Sequence, residues 1–210
     1  MARGSNGGRG PGAWTWSRTA ETRSALLRGA REVFTEQGYS GAAIADLVER
    51  TGSSVGSVYH HFGGKAELFL ALWEEHHHAQ ETRAATAVAR AREAGVDDPL
   101  ELFCAGARAF LEGSWERRDL SRLFMDGDGP PGFETTRRSS GRDWVRRNTV
   151  LLGAGGSPAE RVTVAILTSV IGEAGREVAV CATRAEAEEV IETTLGLIRR
   201  LGAVEGGPAR

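Results

Sequence analysis

The sequence predicts an all-α protein of about nine helices, with an N-terminal three-helix head that contains a helix-turn-helix and a larger helical body behind it. Three observations carry that expectation. Apolar residues recur at spacings of three and four from Thr19 almost to the C-terminus, the period of helices that bury one face. No sustained run alternates apolar and polar residues as a half-buried strand does. The breaks between periodic runs hold glycine, proline or serine, which stop one helix and start the next.

The first run starts at Thr19 and sets Leu26, Leu27, Ala30, Val33, Phe34 and Gln37 on one side, and Gly38 ends it with Tyr39 packing back. A shorter helix follows, with Ile44, Leu47 and Val48 inward and Ser40 as its expected cap. Thr51-Gly52-Ser53-Ser54 then interrupts the pattern. Glycine there permits the positive φ of a tight turn, and either Ser53 or Ser54 can cap the next helix. That third helix runs from Val55 to His61, carries Val58, Tyr59 and Phe62 as its apolar or aromatic residues, with Phe62 assigned wholly to the core, and closes at Gly63-Gly64.

Lys65 opens a long helix in which Leu68, Phe69, Leu72, Trp73 and His76 recur, reaching towards Ala94. Further helices are expected over Pro99–Trp115, Asp119–Met125 and Phe133–Leu152, after Ser157 with Pro158 in the first turn, and over Ala185–Leu201. The glycine-rich stretches 127–132 and 153–157 read as loops. The chain therefore divides into a disordered arm (1–17), a helix-turn-helix head (18–64), a helical body (65–205) and a flexible tail (206–210).

Composition narrows the function classes. Of 210 residues, 40% are hydrophobic and 26% charged, which suits a folded globular protein, and the formal net charge is −2. No stretch of eighteen apolar residues marks a membrane span and the start has no apolar leader, so a cytoplasmic protein without a membrane partner is expected. Cys104 and Cys181 form neither a disulfide framework nor a metal-ligand spacing. His76-His77-His78 is metal-like only as a string, because consecutive helical residues point about 100° apart. Gly153-Ala154-Gly155-Gly156 lacks the strand-to-helix setting of a nucleotide loop, and no Gly-x-Ser-x-Gly elbow occurs. No enzyme, no cofactor and no metal are expected.

Two short helices joined by a turn and braced by a longer one form the arrangement that offers a recognition helix to a DNA major groove. Through residue 65 the basic side chains outnumber the acidic ones by eight to five, whereas the remainder is net acidic. On the third helix, Ser54, Val55, Gly56, Ser57 and His60 are small or hydrogen-bonding, as groove entry requires, and Val55 suits a thymine methyl. Small helical bundles share the same periodicity, so the pattern alone leaves both readings open. In the arm, Arg3 and Arg9 either reach DNA or belong to a functionless extension.

The local sequence is more specific. Thr22 to Leu72 contains Val33-Phe34, Gly38-Tyr39, Ile44-Ala45-Asp46-Leu47, Thr51-Gly52 and above all Gly56-Ser57-Val58-Tyr59-His60-His61-Phe62, then Lys65 and Glu67-Leu68-Phe69. Over these fifty or so residues the chain resembles the TetR family of transcriptional regulators, of AcrR-like type. The resemblance implies that Ser54, Val55 and Ser57 face bases or nearby phosphates, that Gly56 permits close approach, that Tyr59 and His60 contact the backbone and that Lys65 pairs with a phosphate. His61 reads as a packed histidine. Ala42 stands where the family often has a capping threonine, and Ser53 where it often has a valine. With a single lysine in the chain, further phosphate contacts fall to Arg18, Arg23, Arg28 and Arg50.

The resemblance also implies a homodimer on a pseudopalindromic double-stranded DNA operator, released by a small, largely apolar effector. The expected dimer surface is the stripe of Val162, Ile166, Val170, Ile171, Ile191, Leu195 and Ile198, although the same residues can be satisfied inside one subunit. The expected effector pocket is lined by Trp73, Phe103, Phe110, Trp115, Phe124, Met125 and Trp144, with His77, Cys104, Glu112 or Asp126 offering polarity. A dimeric sensor or scaffold without specific DNA binding, or an activator on the same fold, remain the alternatives.

Overall fold

The computed structural model describes the backbone of residues 11–203 and the side chains of residues 19–202. Among these residues all regular structure is helical: α1 (Pro11–Gly41), α2 (Ile44–Thr51), α3 (Val55–Phe62), α4 (Lys65–Glu93), α5 (Pro99–Glu116), α6 (Arg118–Met125), α7 (Phe133–Leu151), α8 (Pro158–Val180) and α9 (Arg184–Ala203). The chain separates into two compact units, one ending at Leu72 and the other starting at Trp73. None of the described helices is long and apolar enough to cross a membrane.

α1 begins at Pro11, so residues 11–17, expected in the arm, are helical. Proline needs no hydrogen-bond partner for its nitrogen in a first turn, and residues 13–17 contain no glycine to oppose a helix. Arg3, Arg9 and the tail 206–210 lie outside the described residues. At its other end α1 is broken at Gly38, which adopts φ 73° and ψ 173°. A side chain there would be strained, which is why glycine ends the straight run.

In the first unit, Leu26, Ala30, Val33 and Phe34 of α1 are buried, as are Leu47 of α2, Val58 of α3, and Leu68 and Phe69 at the start of α4. Burial of each large side chain of this kind contributes about 1.5–3 kcal/mol. Phe69 meets Phe34 and Tyr39 edge-on, with ring centroids 5.4 and 5.1 Å away. Gly29 allows α2 to approach α1 closely, since a Cβ there would lie 2.2 Å from Thr51 Cγ2.

In the second unit the core is shared by α5, α8 and α9. Phe103, Cys104, Ala107 and Leu111 pack with Leu167, Ile171, Val178, Ile191, Leu195 and Ile198. Both α5 and α8 open on proline after a capping side chain. Asp98 Oδ1 accepts from the N–H groups of Leu100 and Glu101 at 2.7 and 3.0 Å. Ser157 Oγ accepts from Glu160 N–H at 3.1 Å, while the Glu160 carboxylate accepts from Ser157 N–H at 3.2 Å. These caps satisfy donors that a helix start leaves unpaired.

Candidate nucleic-acid interface and effector cavity

The turn between α2 and α3 follows from four residues. Thr51 Oγ1 donates to Leu47 O at 2.7 Å and accepts from Ser53 N–H at 3.3 Å. Gly52 supplies the left-handed conformation at φ 64°. Ser54 then takes an extended backbone, and its Oγ accepts from Ser57 N–H at 3.1 Å, starting α3. Gly63, at φ 96°, donates its N–H to Tyr59 O at 2.9 Å and ends it. Ser54 is thus the serine that caps. The cap position of α2 is Ala43 and not Ser40: with no acceptor on Ala43, the Asp46 carboxylate folds back to its N–H at 2.9 Å.

Within α3 only Val58 is fully buried. Ser54, Val55, Gly56, Tyr59 and His60 are exposed and Ser57 is half-buried, so all six lie where an outside partner reaches them. A Cβ added to Gly56 would meet nothing nearer than Ser54 Oγ at 3.9 Å, so no internal packing demands glycine there. Phe62 is half-buried rather than wholly in the core, because the Arg23 guanidinium covers its ring at 4.9 Å and not a second hydrophobic layer. His61 is half-buried against His60, with ring centroids 5.1 Å apart.

The basic residues divide between internal and outward roles. Lys65 Nζ donates to Ala42 O at 2.6 Å and lies 4.4 Å from the Tyr39 ring centroid. It braces the turn before α2, and an ammonium has two further donors beyond the one used there. Arg50 is bidentate on Glu36, at 3.0 and 2.7 Å, and also reaches Glu32 at 3.1 Å. The Arg50 hydrogen bonds hold the Glu36 carboxyl below its ordinary value. Arg50 is therefore committed within the head, whereas Arg28 is exposed. The Arg18 side chain lies outside the described residues.

In the second unit, α4, α5, α7 and α8 line a half-open cavity of about 830 Å³. Ala84, Val88, Phe103, Phe110, Trp144 and Ile171 contribute its apolar wall. A neighbouring hollow of about 190 Å³ is lined by Trp73, His77, Phe110, Phe124, Met125 and Trp144 among others. The two share Phe110, Gly141, Trp144, Gly172 and Arg176. Six of the seven expected aromatic or apolar lining residues thus face one hollow or the other.

Trp115 lines neither: it packs against the α5–α8–α9 core, and the Arg118 guanidinium covers its ring at 4.4 Å. Cys104 belongs to the same core, where burial pushes its thiol up to about 11 and leaves it an apolar filler. Neither Glu112 nor Asp126 reaches either hollow. The consecutive histidines splay as helical geometry requires, with His76 buried, His77 half-buried and His78 exposed. His77 stacks on Trp73 at 5.5 Å and pairs with Glu81 at 3.1 Å. No cluster of three or more potential metal ligands occurs among the described residues.

Periodicity missed the polar lining: Glu81, Arg92, Arg138, Arg142, Arg147, Asn148, Thr168, Glu173 and Arg176. These residues fall on the helix faces that hydrophobic patterning assigns to solvent. Their only sequence signal is the crowding of five arginines on α7, Arg137, Arg138, Arg142, Arg146 and Arg147.

The expected dimer stripe splits in two. Ile171, Ile191, Leu195 and Ile198 are 9%, 0%, 1% and 0% exposed, so they cannot meet a second subunit. They fill the space between α5, α8 and α9 within one protomer. Val162 and Ile166 are 57% and 49% exposed, and Val170 is half-buried. Among the described residues of α9 the exposed large apolar side chains are Leu197 and Leu201.

A helix-turn-helix head with an outward, small-residue third helix, joined to a helical body that contains a cavity, defines the class of helix-turn-helix regulators. Residues 26–72 match the model of "Bacterial regulatory proteins, tetR family". Over that segment the chain is similar to the TetR family of regulators. It is 48% identical over 61 residues to the transcriptional repressor AcnR of Corynebacterium efficiens, a match spanning 29% of this chain and 32% of that protein. Over 56 residues it is 41% identical to the transcriptional activator FasR of Mycolicibacterium smegmatis, spanning 27% of this chain and 26% of that one. The matched segment is thus about a third or less of each relative. A TetR-family regulator of Syntrophomonas wolfei has the same fold, with a TM-score of 0.70 at 18% identity over 91% of this chain and 99% of that one.

Proposed function

We propose that the chain is a sequence-specific DNA-binding transcriptional regulator, a homodimer that represses from a pseudopalindromic operator and is released by a small, largely apolar effector. The observation that carries this reading is α3, eight residues long, with Val58 turned inward and Ser54, Val55, Gly56, Ser57, Tyr59 and His60 turned out. In this reading Val55 and Ser57 touch base edges, Ser54, Tyr59 and His60 hold phosphates, and the bare backbone at Gly56 allows close approach. Lys65 offers its remaining donors to a phosphate while anchored on Ala42 O.

One short recognition helix reads few base pairs, so two heads are needed for useful specificity. Val162, Ile166 and Val170 of α8, with Leu197 and Leu201 of α9, are among the apolar residues left for the second copy. In an antiparallel helix pair turning near residue 182, Val162 stands level with Leu201 and Ile166 with Leu197, so the exposed positions alternate along one seam. The cavity is of drug-ligand size. An effector there releases DNA by favouring a head spacing that no longer fits the operator. The name of the FasR relative favours a second reading, that the same head serves an activator.

Selection of bound fragments from random double-stranded DNA by the full chain tests the proposal. A pseudopalindrome is expected to emerge, with affinity falling as salt rises. Val55→Ala and Ser57→Ala are expected to relax preference at the bases they touch, by about 1–3 kcal/mol for each lost contact. Emergence of no sequence motif would remove the reading.

A further inference from the structure

The lining of the larger cavity does not match a purely apolar occupant. It carries five guanidiniums, from Arg92, Arg138, Arg142, Arg147 and Arg176, against two carboxylates, from Glu81 and Glu173. That is a local surplus of three positive charges in a chain whose formal net charge is −2. The existing pairs reduce it to two. Arg147 meets Glu81 at 3.0 Å, Arg176 meets Glu173, and Arg138 meets Glu134 at 2.8 Å. Arg92 and Arg142 have no acidic partner among the described residues.

Position on the helices gathers part of this charge. Arg138 and Arg142 are four residues apart and so lie one turn from each other on the same face of α7. Arg176 of α8 lines both hollows, as do Gly141 and Trp144 of α7. Guanidinium groups are suited to carboxylates because two parallel N–H donors fit the two oxygens.

We propose that the larger cavity takes an amphipathic carboxylate, whose apolar body lies along Ala84, Val88, Phe103 and Ile171 and whose charge is held by Arg142, with Arg138 and Arg176 beside it. The inference rests on the reading of this cavity as the effector site and adds the chemical class of the effector. A carboxylate gives the exposed guanidinium of Arg142 an anionic partner that a neutral apolar molecule lacks, and a cationic one would meet repulsion. The seat is rim-placed and wet, which keeps the charge preference moderate.

The test compares dodecanoate, dodecanol and dodecylamine, each below its aggregation concentration, by titration calorimetry on the full chain. Dodecanoate is expected to bind about tenfold more tightly than dodecanol, a difference of one decade in Kd, with dodecylamine weakest. Arg138→Gln combined with Arg142→Gln should bring dodecanoate to the level of dodecanol and leave dodecanol unchanged. Gly172→Trp, or Gly141→Trp if the first does not fold, places an indole where nothing lies within 4 Å of a Cβ and should block both ligands.

Equal binding of all three probes, or a carboxylate preference that survives loss of both arginines, overturns the charge assignment and leaves the cavity as an apolar effector site. Binding of none, or binding indifferent to a folded cavity-filling variant, overturns the effector-site reading itself.

Discussion

The head and the body dispose of their apolar residues by different geometries. In the head, α3 is eight residues long and buries only Val58 fully, so most of its circumference is surface. In the body, α9 is twenty residues long and buries Ala187, Ile191, Leu195 and Ile198 at steps of three and four. The contrast shows how an interface is left over. A short helix pinned by one side chain leaves half of its residues exposed. A long helix uses its central stripe for its own core, and of its large apolar residues only the flanking Leu197 and Leu201 remain exposed here.

The largest effect separates the inner stripe from the flanking one. Ile191→Ala or Leu195→Ala removes a fully buried side chain and is expected to lower stability by about 2–5 kcal/mol in denaturant unfolding. Ile166→Ala, at 49% exposure, should change the stability of the isolated subunit little and shift sedimentation from dimer towards monomer. A mild effect at Ile191 together with loss of folding at Ile166 would reverse the assignment of core and surface.

On the head side of the contrast, α3 depends on its cap because it has so few buried contacts. Ser54→Ala removes the acceptor for Ser57 N–H and is expected to cost about 0.5–2 kcal/mol, measured by the same unfolding transition. Ser54→Asp keeps an acceptor and should recover the loss. If Ser54→Ala left stability unchanged, the turn at Gly52 alone would be setting the start of α3.

The same contrast accounts for what was legible before the structure. The nine helices, the left-handed glycines at 38, 52 and 63, and the outward face of α3 are local matters, set by spacing and by the conformations only glycine tolerates easily. Ser40 failed as a cap because α2 begins at Ile44, which puts Ala43 at the cap position and leaves Asp46 to reach back to its N–H. In the body, an apolar stripe says that a helix buries a face and not which neighbour covers it. Ile171, Ile191, Leu195 and Ile198 therefore read equally well as interface or core, and Trp115 as pocket or core. The arginines of the cavity wall were signalled only by their crowding on α7, because hydrophobic patterning assigns any charged position to solvent.

A smaller effect sharpens the description of the cavity wall. Gly172 is helical and lines both hollows, and a Cβ there would have nothing within 4 Å. Gly172→Ala is expected to stabilise the protein by about 0.5–1 kcal/mol, since glycine inside a helix carries an entropic penalty. Gly113→Ala should act in the opposite direction, because its Cβ would fall 2.1 Å from Gln80 Oε1, a buried amide that donates to Ser114 Oγ at 3.1 Å. Thermal unfolding of the two variants side by side reads the difference. Stabilisation by both would mean that α4 and α5 are less closely packed than the approach of Gln80 to Gly113 implies.

The smallest expected effect lies at the wall between the aromatic hollow and α7, and its sign is decided by competing groups. Burial is the leading influence on His77 and lowers its pKa; the Glu81 carboxylate at 3.1 Å opposes this, and the Arg147 guanidinium, itself held on Glu81 at 3.0 Å, adds to the lowering. The folded protein therefore resists protonating His77, whereas the unfolded chain accepts the proton near the ordinary histidine value of about 6.5. Stability from this group is fully present above that value and is lost as pH falls through the lower folded value. Between about pH 7.5 and 5.5, the midpoint of thermal unfolding should fall more steeply for the native chain than for His77→Gln, which cannot take up the proton. Had Glu81 prevailed over burial, protonation would stabilise the fold and the native chain would show the shallower slope. The comparison of slopes thus tests whether the aromatic stack of Trp73, His77 and Trp144 excludes water well enough to outweigh an adjacent carboxylate.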